Sequence, residues 1–191
     1  MRLELHAAPD LDALMGEVRD AEALPYWAVI WPAGEALARW VLARGGWAHL
    51  PVLELGCGTG IVGLAAAALG ARVTLTDRFP EATVLARGNA LRNGLNGVRC
   101  VAADWRAWPL RGRWPVVLAA DVAYERALHA PLLRVLADSL AADGTAYLAD
   151  PDRPMSADFF ALAEREGWRV EVEPLASDSD LYLYRLRLPT R

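Results

Sequence analysis

The feature that most constrains this chain is the stretch Val52-Leu53-Glu54-Leu55-Gly56-Cys57-Gly58-Thr59-Gly60-Ile61-Val62-Gly63, where an apolar run passes into a helical pattern through a turn made largely of glycine. Glycines at 56, 58 and 60 let the backbone take positive φ and come within contact distance of a ligand. The free N–H groups and positive dipole at the start of the following helix attract polar or anionic ligand groups. Strand, loop and helix together predict a cradle for a nucleotide cofactor. The loop alone leaves the cofactor open. Gly58-Thr59-Gly60-Ile61-Val62-Gly63 reads literally as the G-x-G-x-x-G fingerprint of dinucleotide sites, and a purely structural turn can carry the same letters.

Composition narrows the choice. A chain of 191 residues can bury one good core but has no room for a dinucleotide domain beside a separate catalytic domain. One domain over residues 1–191 is expected, with a lead-in or lid over 1–50 and the core over 51–191. No apolar run approaches the ~20 residues of a membrane span, and the N-terminus lacks a basic start followed by an apolar stretch, so a soluble, cytoplasmic protein is expected. Cys57 and Cys100 fall in no metal-binding spacing, and both are read as reduced thiols. The net charge is −4 with the arginines scattered, which argues against nucleic acid as a partner.

Taken in order, Asp10 caps a short helix with Leu11, Leu14, Met15 and Val18 on one face. The segment Pro25 to Gly34 is aromatic and bounded by prolines, and it leads into a helix over about 35–44. From Pro51 onward, short apolar runs alternate with helical patterns, the signature of a parallel sheet covered by helices. Strands are predicted near 51–55, 72–76, 98–102, 115–120, 144–149, 168–173 and 181–188, and helices near 60–69, 79–93, 125–140 and 156–166. The last two strands alternate polar and apolar residues and read as an antiparallel hairpin.

Ligands of open α/β sheets sit beyond the carboxyl ends of the strands, so those ends supply the site candidates. Asp77, ending the second strand 21 residues after Gly56, is placed to bind a ribose diol or to cap the next helix. After the third strand, Asp104 can meet an adenine amine, and Trp105 can cover its ring or pack in the core. Trp31 has the same two readings, ligand wall or core. Asp121 and Tyr124 follow the fourth strand, where a carboxylate can touch an incoming nucleophile. The loop Asp150-Pro151-Asp152-Arg153-Pro154 follows the fifth. Asp121 with Asp150 raises the idea of a magnesium ion, but Pro151 stands where a further oxygen ligand is wanted, and no metal is expected. His6, His49 and His129 flank no nucleophile and are read as surface or loop residues.

Glu54 and Gly56 extend the glycine pattern to E-x-G-x-G-x-G, which resembles the first motif of class I, seven-stranded methyltransferases and implies S-adenosylmethionine (SAM) as cofactor. The lead-in Pro25-Tyr26-Trp27-Ala28 with Trp31-Pro32-Ala33-Gly34, and the acid-x-x-aromatic run Asp121-Val122-Ala123-Tyr124, are similar to those of the family-16 protein-lysine methyltransferases. The resemblance covers nearly the whole chain. The lead-in and the Asp150 to Pro154 loop are most similar to the type that methylates the β subunit of electron-transfer flavoprotein. It implies a Rossmann-like α/β fold with a seven-stranded, mostly parallel sheet closed by an antiparallel hairpin, helices lying on both faces. It also implies cofactor contacts at Trp31, Glu54, Gly56, Cys57, Gly58, Gly60, Asp77, Asp104, Trp105 and, through its backbone, Ala120. The acceptor it implies is a protein, either electron-transfer flavoprotein β subunit or a ribosomal or translation protein, and the enzyme is expected as a monomer.

Three functions are carried forward: a lysine methyltransferase acting on protein, a SAM-dependent N-methyltransferase of small molecules such as heterocyclic amines, and a non-catalytic SAM-binding scaffold. The intact Asp121-x-x-Tyr124 beside the intact loop favours an enzyme. All 20 basic residues are arginine, so the chain holds no lysine side chain of its own to methylate. A free lysine has a pKa near ~10.4, and a neighbouring carboxylate favours its charged form. Asp121 is therefore given the roles of docking the ammonium and taking or relaying its proton, with Tyr124 positioning the amine.

Overall fold

The computed structural model describes residues 2–8, 25–175 and 180–189. The helix expected after Asp10 lies outside these residues. A 3-10 turn at Tyr26–Ala28 precedes helix α1 (Pro32–Ala43). Then come β1 (Pro51–Leu55), α2 (Ile61–Ala68), β2 (Arg72–Asp77), α3 (Pro80–Arg92), β3 (Arg99–Ala102) and β4 (Trp114–Ala120). The chain finishes with α4 (His129–Ser139), β5 (Leu140–Asp150), α5 (Pro154–Arg165), β6 (Arg169–Pro174) and β7 (Tyr182–Arg187).

The strands form one seven-stranded sheet in the order β3-β2-β1-β4-β5-β7-β6. The first five run parallel, and β7 lies antiparallel between β5 and β6, the hairpin read from the sequence. Chain order reverses between β1 and β4, which makes the crevice beyond their carboxyl ends the place for a ligand.

The central strands are buried on both faces, and their side chains divide between two cores because successive residues point to opposite faces. Val52 of β1 and Leu118 of β4 join one core with Leu37, Val41 and Leu64. Leu53, Leu55 and Val117 join the other, with Leu132, Leu136 and Phe159. Each such side chain, fully buried, contributes about 2 kcal/mol, which clamps the two central strands and fixes the position of their ends.

Three helices begin with proline at the first turn, at Pro32, Pro80 and Pro154, where its missing N–H costs nothing. Two of these starts lie a few residues before the expected ones. The helix expected over 125–140 is a 3-10 turn at Arg126–Leu128 followed by α4. β5 starts at Leu140, ahead of the expected 144, because its pairing with β4 shifts register between Trp114 and Val116. Among the described residues, no helix is long and apolar enough to cross a membrane.

Candidate active site

The loop after β1 lies against the loop after β4. Register pairs Leu55 with Ala119, so Gly56 stands beside Ala120. Gly56 has φ +66, and a Cβ there would lie 2.9 Å from Val122 Cγ1. Gly58 has φ +49, and a Cβ there would lie 2.8 Å from the Trp27 carbonyl oxygen. Both positions require glycine for conformation and for space. The Gly58 N–H donates to Asp77 Oδ2 at 2.9 Å, and the Phe79 N–H donates to Oδ1 at 3.0 Å. Asp77 thus joins the glycine loop and caps the next helix at once. Each of its two oxygens accepts one backbone N–H and keeps further acceptor capacity. Burial raises its pKa, against the backbone N–H donors that lower it.

Two loop residues turn their side chains away from the crevice. Glu54 is 2% exposed, and its Oε2 accepts the Gly63 N–H at 2.7 Å beneath the loop. It braces the start of α2. Burial pushes its pKa up to about 8. The Cys57 side chain points into the core, where burial raises the thiol pKa. Only its backbone belongs to the loop.

Trp105 packs at the edge of the second core with its indole Cζ2 3.7 Å from the Cβ position of Gly56, so it lies both in the core and beside the glycine loop. Asp104 caps the turn at Trp105 and pairs with Arg106 at 2.8 Å. The side-chain hydrogen bond from Arg106 holds the Asp104 carboxyl below its usual range. Its carboxylate is thereby committed to Arg106 and does not lie bare toward an adenine. Trp31 donates its indole N–H to the Tyr26 carbonyl at 3.0 Å, and the rings of these two residues stand 6.3 Å apart. Gly34, three residues on, approaches Ala120, which carries the lead-in to the crevice.

An unexpected clamp holds this arrangement from behind. Buried Asn89 accepts the His6 N–H at 2.7 Å and donates to the His6 and Thr59 carbonyls at 3.0 and 2.9 Å. Asn93, one turn further, makes the same paired bonds with Glu4 at 2.9 and 2.7 Å. The i, i+4 spacing of the two asparagines, one on α3 and one at its C-cap, was the available signal.

At the end of β4, Asp121 takes a left-handed conformation at φ +57 while its N–H still donates to Ala149 at 2.9 Å. A non-glycine residue held there costs about 1–2 kcal/mol, and such strain gathers at functional positions. Ala120 pairs with Ala149, so Asp121 and Asp150 stand side by side. The side chain of Arg153 reaches both, forming an ion pair with Asp121 and lying 3.9 Å from Asp150. Sequence reasoning missed Arg153. Pro154 at the first turn of α5 was the signal, since it leaves Arg153 in the loop at the strand ends. Tyr124 is half exposed at the mouth, near Asp77 and Tyr26, and desolvation raises its pKa. The ion pair Arg78–Glu125, 3.7 Å, links the loops after β2 and β4.

The structure therefore gathers Gly56, Gly58, Asp77, Trp105, Ala120, Asp121 and Tyr124 at one crevice. It corrects His129, expected at the surface, which is buried with Nε2 3.1 Å from the Ala123 carbonyl and props the loop carrying Tyr124. No group of three or more His, Cys, Asp or Glu able to hold a metal stands among the described residues.

Comparison with known proteins gives the family and the fold. The family described as lysine methyltransferase matches residues 20–166. The electron transfer flavoprotein beta subunit lysine methyltransferase of Danio rerio is 36% identical over 132 residues, 68% of this chain and 51% of the relative. Protein N-lysine methyltransferase METTL21A of the same organism is 29% identical over 175 residues, 87% of this chain and 80% of the relative. The chain spans about half the length of the flavoprotein-directed relatives it matches. Among solved structures, the ribosomal protein L11 methylase of Lactobacillus delbrueckii subsp. bulgaricus superposes with a TM-score of 0.67 at 21% identity, over 81% of this chain and 77% of that one. The fold is the Rossmann-like fold of class I methyltransferases, and the chain belongs to the lysine methyltransferase family.

Proposed function

We propose that this protein transfers a methyl group from SAM to the ε-amine of lysine on another protein. The observation that carries the reading is the meeting, where strand order reverses, of the Gly56 to Gly58 loop with Asp121 and Tyr124. The residues fit the cofactor. Gly56 and Gly58 leave a cradle that any Cβ would fill, Asp77 presents a carboxylate for the ribose, and Trp105 and Trp31 offer flat walls. Gly60 and the Ala120 backbone complete the rim, and we keep Asp104 as an adenine contact that must first loosen from Arg106.

When bound, SAM supplies an electrophilic methyl group on a sulfonium. Asp121 docks the incoming ammonium and accepts or relays its proton, and Tyr124 orients the amine by its hydroxyl or ring face. The neutral nitrogen forms the new N–C bond as the C–S bond breaks and the electron pair goes to sulfur. Alignment provides most of the acceleration in such a displacement. None of the 191 residues is a lysine, which fits an acceptor on another molecule.

Relatives named for electron transfer flavoprotein β subunit and for translation factor EEF1A favour one of those protein classes as acceptor. The free thiols Cys57 and Cys100 fit a reducing compartment, and we place the enzyme in the cytoplasm as a monomer. The test is tritiated SAM added to an extract of cells lacking this protein. Label entering a protein band with the wild-type enzyme supports the reading, and label confined to small molecules overturns it.

A further inference from the structure

The carboxylate that docks an ammonium also hinders the reaction, since it favours the charged amine that cannot attack. The structure holds a counterweight. The Arg153 guanidinium lies between Asp121 and Asp150, in ion-pair contact with the first and 3.9 Å from the second. Asp121 is 10% exposed and Arg153 is 41% exposed, so the pair sits at the wall of the crevice with its outer side open. Asp121 Oδ1, Asp150 Oδ2, Arg153 Nε and Arg153 Nη2 are all buried without an aligned hydrogen bond. Asp121 Oδ1 and Arg153 Nη2 face each other, so the cluster is held by charge rather than by aligned hydrogen bonds.

We propose that Arg153 is a positioning residue that sets the protonation of the acceptor amine, its guanidinium offsetting the carboxylate charge that would otherwise keep a docked lysine as its ammonium. The inference rests on the lysine methyltransferase reading above. Asp121 then provides an acceptor for the amine without the full field of an isolated carboxylate.

The carboxylates on the same loop as Arg153 are each held by a hydroxyl. Asp150 accepts the Ser156 hydroxyl at 2.5 Å. Asp152 accepts the Tyr184 hydroxyl at 2.7 Å. Across the mouth, Arg78 pairs with Glu125 beside Tyr124. Burial raises the pKa of Asp150 and lowers that of Arg153, which is the cost of holding these charges together. Arg153 is thus the cation in direct contact with Asp121. A unit charge about 6 Å from an amine, at the effective dielectric of such a site, shifts its pKa by about one to two units.

The experiment measures the initial rate of tritium transfer from saturating SAM into the protein of an extract from cells lacking this enzyme, from about pH 6.5 to about pH 10. Arg153→Met should move the midpoint of the profile about one to two units toward alkaline pH. Its rate at neutral pH then falls about tenfold or more and recovers at high pH. Arg153→Lys should restore the midpoint. Asp121→Asn should move the midpoint the other way, and the double variant Asp121→Asn with Arg153→Met should return it toward the wild type. Calorimetry with SAM checks that each variant is folded, and Arg153→Gln replaces Arg153→Met if the latter binds no SAM.

An Arg153→Met profile lower than wild type by the same factor at every pH overturns the proposal and leaves Arg153 a structural prop. An unchanged midpoint with half-maximal rate at greater extract dilution overturns it too, making Arg153 a competitor for Asp121. A wild-type enzyme that labels no protein overturns the parent reading, whereas an active wild type with an unshifted variant overturns this inference alone.

Discussion

Glu54→Gln isolates the energetic cost of the carboxyl beneath the glycine loop. Glu54 is 2% exposed, its Oε2 bonded at 2.7 Å to the Gly63 N–H, and burial pushes its pKa up from an ordinary value near 4.5 to about 8. Between these two values the unfolded chain has released the proton and the folded chain retains it. Stability therefore falls as pH rises from about 4.5 to about 8 and levels off beyond. With the linkage slope of about 1.4 kcal/mol per pH unit, the loss reaches about 3 kcal/mol by pH 7. Glutamine keeps an oxygen for Gly63 and has no proton to lose, so the variant should lack this component. Urea unfolding of both proteins at a series of pH values gives the difference directly. Asp77 and Asp150, also raised by burial, contribute alike to both curves and cancel. The variant should gain on the wild type by about 3 kcal/mol between about pH 5.5 and about pH 8.5. Parallel curves would show that Glu54 is ionised in the folded protein, and a loss of SAM affinity in the variant would return Glu54 to the cofactor site.

Gly58→Ala should lower SAM affinity at least tenfold and cost about 1–2 kcal/mol in stability, because its Cβ would lie 2.8 Å from the Trp27 carbonyl at φ +49; calorimetry and urea unfolding read the two effects. Asn89→Ala should destabilise by about 1–3 kcal/mol, since it strands the Thr59 carbonyl and the paired His6 bonds, with urea unfolding as the measure. EDTA should leave the methylation rate unchanged, because Arg153 already fills the space between Asp121 and Asp150 with a cation; a rate abolished by EDTA and restored by magnesium would overturn that.

The sheet was legible because its signals are local. β1 and β4 are apolar runs closed by glycine and by aspartate, and their observed ends, Leu55 and Ala120, fall just before those residues. The start of β5 was hidden, since Asp143-Gly144 looks like a turn while the strand passes through it from Leu140. At the site, Gly56, Gly58, Asp77 and Asp121 were readable from their distance to strand ends. The direction of the Glu54 side chain was not legible, because the same letter serves a motif whether it points up to the loop's rim or down beneath a helix, and only burial separates these. Arg153 and the Asn89 clamp depend on pairing between distant parts of the chain. Asp121 and Arg153 meet because β4 and β5 are neighbours, and Asn89 meets His6 across 83 residues.

Mass spectrometry of acceptor protein from the labelled extract, using SAM with a deuterated methyl group, tests the central claim most directly. The account predicts the label on lysine side chains, with the rate reduced about 10²–10⁴-fold by Asp121→Asn while SAM affinity changes little. Label on any other residue type, or lysine labelling that persists at the wild-type rate in Asp121→Asn, would contradict it.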